Sequence, residues 1–168
     1  MSKKISIIAI GLVIAISLVL SIYIPNRSKI ESEDISINYS TFEKDGKVGV
    51  INENQETVIE PQYKKIIIVN PHRAVFFCDD GTVQKFVNNK NKEIFQKYDN
   101  VYPIEISNEQ YEKDILIYEK NEKYGILSIT GEEITNAKYE EIASVGYKYG
   151  ELIAKQNGKY GIINRNGT

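Results

Sequence analysis

The sequence predicts an all-β domain of tandem antiparallel hairpin or meander repeats, forming a stacked or partly closed array and preceded by one transmembrane α-helix. Three observations predict it: an uncharged apolar run near the N-terminus, a pattern that recurs after 35, 76 and 112 residues, and four turn dipeptides at matching places in that pattern.

Residues 1–4 form a short tail carrying Lys3 and Lys4. Residues 5–24 are 20 consecutive uncharged positions dominated by Ile, Leu, Val and Ala, and Pro25 follows them. A helix of that length spans roughly 30 Å, the thickness of a bilayer's hydrocarbon core. A cleaved signal peptide has a shorter apolar region of about 7–15 residues and a small-x-small site. The nearest pair here is Ser21 and Tyr23, and Tyr is too large beside a cut. The run is therefore expected to remain as a single-pass anchor in the cell membrane. So short a leading tail favours an extracytoplasmic C-terminal domain, while Arg27 and Lys29 just past the span weaken the usual Lys/Arg bias. Residues 25–38, with Ser, Glu, Asp and Arg interspersed, read as a polar linker.

Residues 39–168 form the repeat domain, with about 3.5 repeats. A shift of 35 carries Gly46, Ile59, Tyr63 and Ile66 onto Gly81, Ile94, Tyr98 and Val101. A shift of 76 carries Gly49, Val50 and Tyr63 onto Gly125, Ile126 and Tyr139, and one of 112 carries Gly46, Gly49 and Asn52 onto Gly158, Gly161 and Asn164. Two-residue turns between twisted strands need positive φ, which Asn, Asp and Gly tolerate. Asp45-Gly46, Asp80-Gly81, Asn121-Glu122 and Asn157-Gly158 meet that need. Each unit then closes on Tyr-x-x-Ile or Tyr-x-x-Val, so it reads as a three-stranded meander. Glycine inside a strand lets a neighbour approach closely. Gly49, Gly125 and Gly161 are thus expected to seat the rings of Tyr63, Tyr98 or Tyr139, and Gly161→Val is expected to harm the domain more than Gly167→Val.

Lys123-Tyr124-Gly125-Ile126-Leu127 and Lys159-Tyr160-Gly161-Ile162-Ile163 carry a Lys-aromatic-Gly-aliphatic-aliphatic core, and Lys47-Val48-Gly49-Val50-Ile51 keeps its glycine. With Ile59-Glu60-Pro61-Gln62-Tyr63, these segments resemble the bacterial WG repeats, with Tyr in the place of Trp. The resemblance covers about residues 40–168 and implies a repeat scaffold with no known activity.

The 26% charged and 42% hydrophobic fractions are those of a folding chain. A formal charge of −2 gives no basic footprint, so nucleic acid is not an expected partner. The single cysteine excludes an intramolecular disulfide and a thiolate zinc site. Cys78 and His72 could in principle form a nucleophile pair, but Cys78 ends the apolar run 74–78, where a small buried hydrophobe is the ordinary reading. Asp79 and Asp80 belong to a turn, and Glu132, Glu133, Glu140 and Glu141 read as solvated faces. No catalytic, cofactor-binding or metal site is expected.

Recognition remains, and the chain has 12 tyrosines, which offer apolar area with a polar tip. Tyr63, Tyr98 and Tyr139 recur with the repeat and are expected in the core. Tyr111, Tyr118, Tyr147 and Tyr149 do not, and form the expected binding surface. Residues 103–114, inserted where one spacing stretches from 35 to 41, read as the functional loop. A protein-interaction module is the first expectation, and a binder of cell-wall glycan the second. Protease added to intact cells should remove the domain while sparing a cytoplasmic control, and protection of both would place the domain inside.

Overall fold

The computed structural model describes residues 38–146 and 148–168. The expected anchor and nearly all of the linker lie outside the described residues, as does Tyr147. Among the described residues there is no α-helix, and the fold is all-β, built from antiparallel sheets.

The first sheet contains β1 (Ser40–Lys44), β2 (Lys47–Ile51) and β3 (Thr57–Tyr63). The second contains β4 (Lys65–Ile68), β5 (Phe76–Asp79), β6 (Gln84–Val87) and β7 (Glu93–Ile94). The third contains β8 (Asn100–Ser107), β9 (Gln110–Lys120) and β10 (Lys123–Ser128), and the fourth β11 (Glu141–Ser144), β12 (Glu151–Gln156) and β13 (Lys159–Asn164). Bridges Tyr124↔Tyr139 and Leu127↔Glu133 lay the segment 133–139 along β10. The sheets thus share a meander with up to four positions. β4, β8 and β11 fill the first. β1, β5, β9 and β12 fill the second, and β2, β6, β10 and β13 the third. β3, β7 and the segment 133–139 fill the fourth, which stands empty beside β13 among the described residues.

The turn chemistry explains the hairpins. Asp45-Gly46, Asn121-Glu122 and Asn157-Gly158 each have positive φ at both residues, the signature of two-residue turns that match strand twist. The fourth differs. Asp79 pairs with Gln84, so the loop takes four residues, and Asp80 Oδ1 accepts the amides of Thr82 and Val83 in place of a left-handed backbone at Asp80. The next turn recurs in all four sheets. Asn52, Asn88 and Asn164 each accept two amide hydrogens, from the residues two and four places on, and Ser128 Oγ accepts that of Glu132. The residue three places on, Gln55, Asn91, Gly131 or Gly167, has positive φ. These turns set the second sheet 36 residues from the first, correcting the shift of 35 there, and Lys85 stands where the other sheets have glycine.

Tyr-x-x-aliphatic carries the chain from sheet to sheet: Tyr63 ends β3, while Tyr98 and Tyr139 lie outside the named strands. Ile66, Val101 and Ile142 are the second residues of β4, β8 and β11, the first strands of new sheets. The residue after each tyrosine donates its amide into the next sheet: Lys64 to Asp79 O, Asp99 to Glu119 O and Glu140 to Lys155 O, at 2.7, 2.9 and 2.7 Å.

Cross-strand partners share a face, and that rule assigns the apolar pairs at the centre of each sheet. Val50, with Ile59 opposite, faces forward into a cluster with Ile66, Phe76, Cys78 and Val87 of the second sheet. Phe77 and Phe86 face forward onto Leu116, Tyr118 and Leu127 of the third. Ile117 and Ile126 face forward onto Ile142, Leu152 and Ala154 of the fourth. Consecutive sheets therefore bury one another's faces.

The rings at the strand glycines differ from expectation. Phe42 pairs with Gly49 and Tyr118 with Gly125, and these cross-strand rings, not Tyr63, Tyr98 or Tyr139, occupy the space a side chain would need. A Cβ at Gly125 would lie 2.5 Å from the Tyr118 ring, and one at Gly49 would lie 2.5 Å from Ile59 O. Gly161 faces Ala154 and meets nothing within 4 Å. Gly167, at φ 75°, would drive a Cβ into Thr135. The expected order of damage is thereby reversed. Gly125→Val should cost about 1–3 kcal/mol through overpacking. Gly161→Val should stay within about 0.5 kcal/mol, and Gly167→Val should lose about 1–2 kcal/mol to left-handed strain alone. Thermal unfolding of the three variants checks the order.

Candidate functional site

Of the tyrosines expected on a binding surface, Tyr118 is 0% exposed, because its place opposite Gly125 points it into the second cluster. Its hydroxyl donates to Thr135 O at 2.8 Å, and burial, with Glu133 nearby, pushes it up to about 12. Tyr111 is half-buried against the same cluster, in a shallow groove with Tyr39, Ile67, Pro71 and Glu109. Tyr149 is 48% exposed. The structure does not gather these tyrosines into one surface among the described residues.

The repeat tyrosines have a further role. Each is buried, and its hydroxyl reaches the following sheet or the turn beside it: Tyr63 to Asn91 Oδ1 at 2.8 Å, Tyr98 to Glu133 Oε1 at 3.1 Å and Tyr139 to Gly167 O at 3.3 Å. Glu133 is not simply a solvated acid. It also takes the Lys97 ammonium at 3.2 Å, and although burial pushes its carboxyl up, the bonds from Lys97 and Tyr98 outweigh that and hold it below the ordinary value.

The inserted segment 103–114 is no loop. It lengthens β8 and β9 around a turn at Asn108-Glu109, both with positive φ, and buries Ile104 and Ile106. It also carries Glu112, which is 1% exposed. One carboxylate oxygen takes the Gly150 amide and the other the Arg165 guanidinium at 2.8 Å, tying the third sheet's hairpin to the fourth sheet's turn. Nothing in the sequence marked that pair, since its members are 53 residues apart.

His72 is exposed in the turn begun by Asn70, and Cys78 is fully buried in the first cluster, so the two are not brought together as a nucleophile and base. Asp79 Oδ1 and Asp80 Oδ1 accept turn amides, and Asp79 Oδ2 accepts the Gln84 side-chain amide. Among the described residues, no group of three His, Cys, Asp or Glu could hold a metal ion.

Exposed apolar area collects in the fourth sheet. Tyr160 is 62% and Ile162 60% exposed, and Val145 and Tyr149 lie in the connection before β12. Ala143, Ile153 and Ile162 form a row across its three strands, and Glu141, Lys155 and Tyr160 form the next. In that second row Tyr160 donates to Glu141 at 2.8 Å and the Lys155 ammonium lies 5.4 Å from the ring centre. The sequence held the signal, since Tyr160-Gly161-Ile162 repeats Tyr124-Gly125-Ile126; the missing cover was not visible in it. Comparison with protein-family models, with curated proteins and with solved structures gives no match.

Burial pushes the Cys78 thiol up to about 12 against the pull of Lys85. Above about pH 9 the unfolded thiol loses its proton while the folded one keeps it, so the unfolded chain is increasingly favoured as pH rises toward about 12. Stability should be level below pH 9 on this account and fall above it. Cys78→Ala should remove the first part of that fall at a constant cost of about 1–3 kcal/mol. Denaturant titrations from pH 8 to 11 check this, and rapid labelling of the native thiol by a bulky reagent would contradict it.

Proposed function

We propose that the chain is a membrane-anchored, extracytoplasmic domain of WG-type repeats that serves as a protein-interaction module and has no catalytic activity of its own. The observation that carries this is the concentration of exposed apolar side chains on one sheet. In the first three sheets the residues matching Ile162 are Val50, Phe86 and Ile126, and each is buried against the sheet that follows. A tyrosine and an isoleucine left open together favour a protein partner, because such anchors dominate binding where they fill a partner's surface. The uncharged run 5–24 supports the anchor, and the recurring Lys-Tyr-Gly-aliphatic-aliphatic core supports the repeat class.

A glycan reading stands second, supported by the exposed rings of Tyr149 and Tyr160. Photo-crosslinking side chains placed at 149 and 160 in the full chain, in its host membrane, should give discrete protein adducts. Co-sedimentation with isolated cell-wall polymer that is lost in Tyr149→Ser and Tyr160→Ser would favour glycan instead. Absence of both results would remove the binding-module reading.

A further inference from the structure

The third-position strands have equivalent outward edges. In the first sheet Val50 pairs with Ile59 and Val48 with Tyr63. In the second Phe86 pairs with Ile94, and Tyr98 follows four residues on. In the third the Ile126 carbonyl accepts the amides of Ile134 and Thr135 at 2.9 and 3.2 Å. Two residues back along β10, Tyr124 exchanges both main-chain bonds with Tyr139, at 2.9 and 3.1 Å. Each filled fourth position thus places an isoleucine beside the forward-facing apolar residue and brings a tyrosine four or five residues later. The fourth sheet repeats the acceptor side of this pattern in Tyr160-Gly161-Ile162, yet among the described residues no strand pairs with the outer edge of β13.

The centre of that edge lacks the usual protection, and a charge stands only at its start, Lys159. Residues 160–163 contain no proline, no charge and no bulge, and Gly161 has open space where Gly49 has the backbone of β3. Unpaired main-chain donors and acceptors beside exposed apolar side chains are complementary to an extended peptide: the backbone supplies affinity and alternate side chains supply choice.

We propose that the outer edge of β13 accepts an extended strand from another polypeptide, with an isoleucine beside Ile162 and a tyrosine four or five residues further on beside Tyr160. The proposal rests on the interaction-module reading and names its partner and site. The donor is a different polypeptide because, among the described residues, a second copy has no spare strand of this character: β3, β7 and the segment 133–139 are each already paired at home. The contact continues, between chains, the pairing that joins the third and fourth positions within this one.

The test uses the full chain in mild detergent and a fluorescein-labelled peptide copying residues 132–139, the segment that pairs with Tyr124-Gly125-Ile126. The peptide should bind by fluorescence anisotropy, and the amides of Tyr160 and Ile162 should gain protection from hydrogen exchange when it is present. Ile162→Pro removes an outward amide and leaves the inner β12 ladder in place, so it should weaken binding by about tenfold or more while the unfolding midpoint is nearly kept. Ile162→Lys should weaken binding without changing the backbone, and Val83→Lys, at an exposed residue of the β5–β6 loop, should not. Failure of the peptide to bind, or binding with no protection at 160 and 162, overturns the proposal. A dimer that Ile162→Lys dissolves would assign the edge to a second copy and overturn it as well. Protein adducts from position 149 that persist in Ile162→Pro would leave the interaction module standing and the strand site refuted; loss of adducts at every position would refute both.

Discussion

Two adjacent apolar residues on each third-position strand point to opposite faces of their sheet, and the packing of the domain follows from that fact. Val87 turns back into the first cluster while Phe86 turns forward into the second. Leu127 and Ile126 do the same for the second and third clusters. A sheet with an apolar side on each face cannot be stable in water alone, since three or four short strands expose too much area. Its neighbours supply the cover. The hydrophobic effect thus works between sheets more than within them, and each of the three clusters belongs to a pair of sheets.

Polar ties fix the sheets in register once burial has brought them together. The tyrosine hydroxyls that reach the following sheet replace water at positions where an unmet hydroxyl would be costly. The Glu112–Arg165 pair does the same with charge. With Glu112 buried and Arg165 partly exposed, the pair is better read as setting the position of the fourth sheet's turn than as a source of net stability. Removing the arginine would leave a buried carboxylate with only the Gly150 amide, so loss of Arg165 costs more than the pair itself contributes.

Hairpins were legible in the sequence because turn chemistry is local. Asn, Asp and Gly at the right spacing announce positive φ, and three of the four dipeptides form the two-residue turn they indicate. The exception, Asp80-Gly81, fails because Asp80 can satisfy the loop amides through its own carboxylate, a choice that spacing cannot reveal. Cross-strand pairing was less legible. Tyr118 looks aperiodic when tyrosines alone are compared, yet it matches Phe42, Cys78 and Ala154 as the residue opposite the strand glycine or its replacement, Lys85. Four unlike side chains at one structural position leave no recurring letter to find. Residues 103–114 misled for a related reason: a longer spacing signals inserted chain, but not whether that chain extends strands or leaves them. The alternation of Ile104 and Ile106 with Glu105 and Ser107 was the available cue.

The three separate clusters also determine how the domain comes apart. Among the described residues no single core spans all four sheets, so cohesion passes from neighbour to neighbour as in a row of coupled links. The second and third sheets have two partners each, and the fourth has one among the described residues. Opening is therefore graded along the row, with the two end sheets the first to exchange their amides and the middle sheets the last. Anything that lies against the fourth sheet raises the floor of that gradient, and its effect is felt by sheets it never touches.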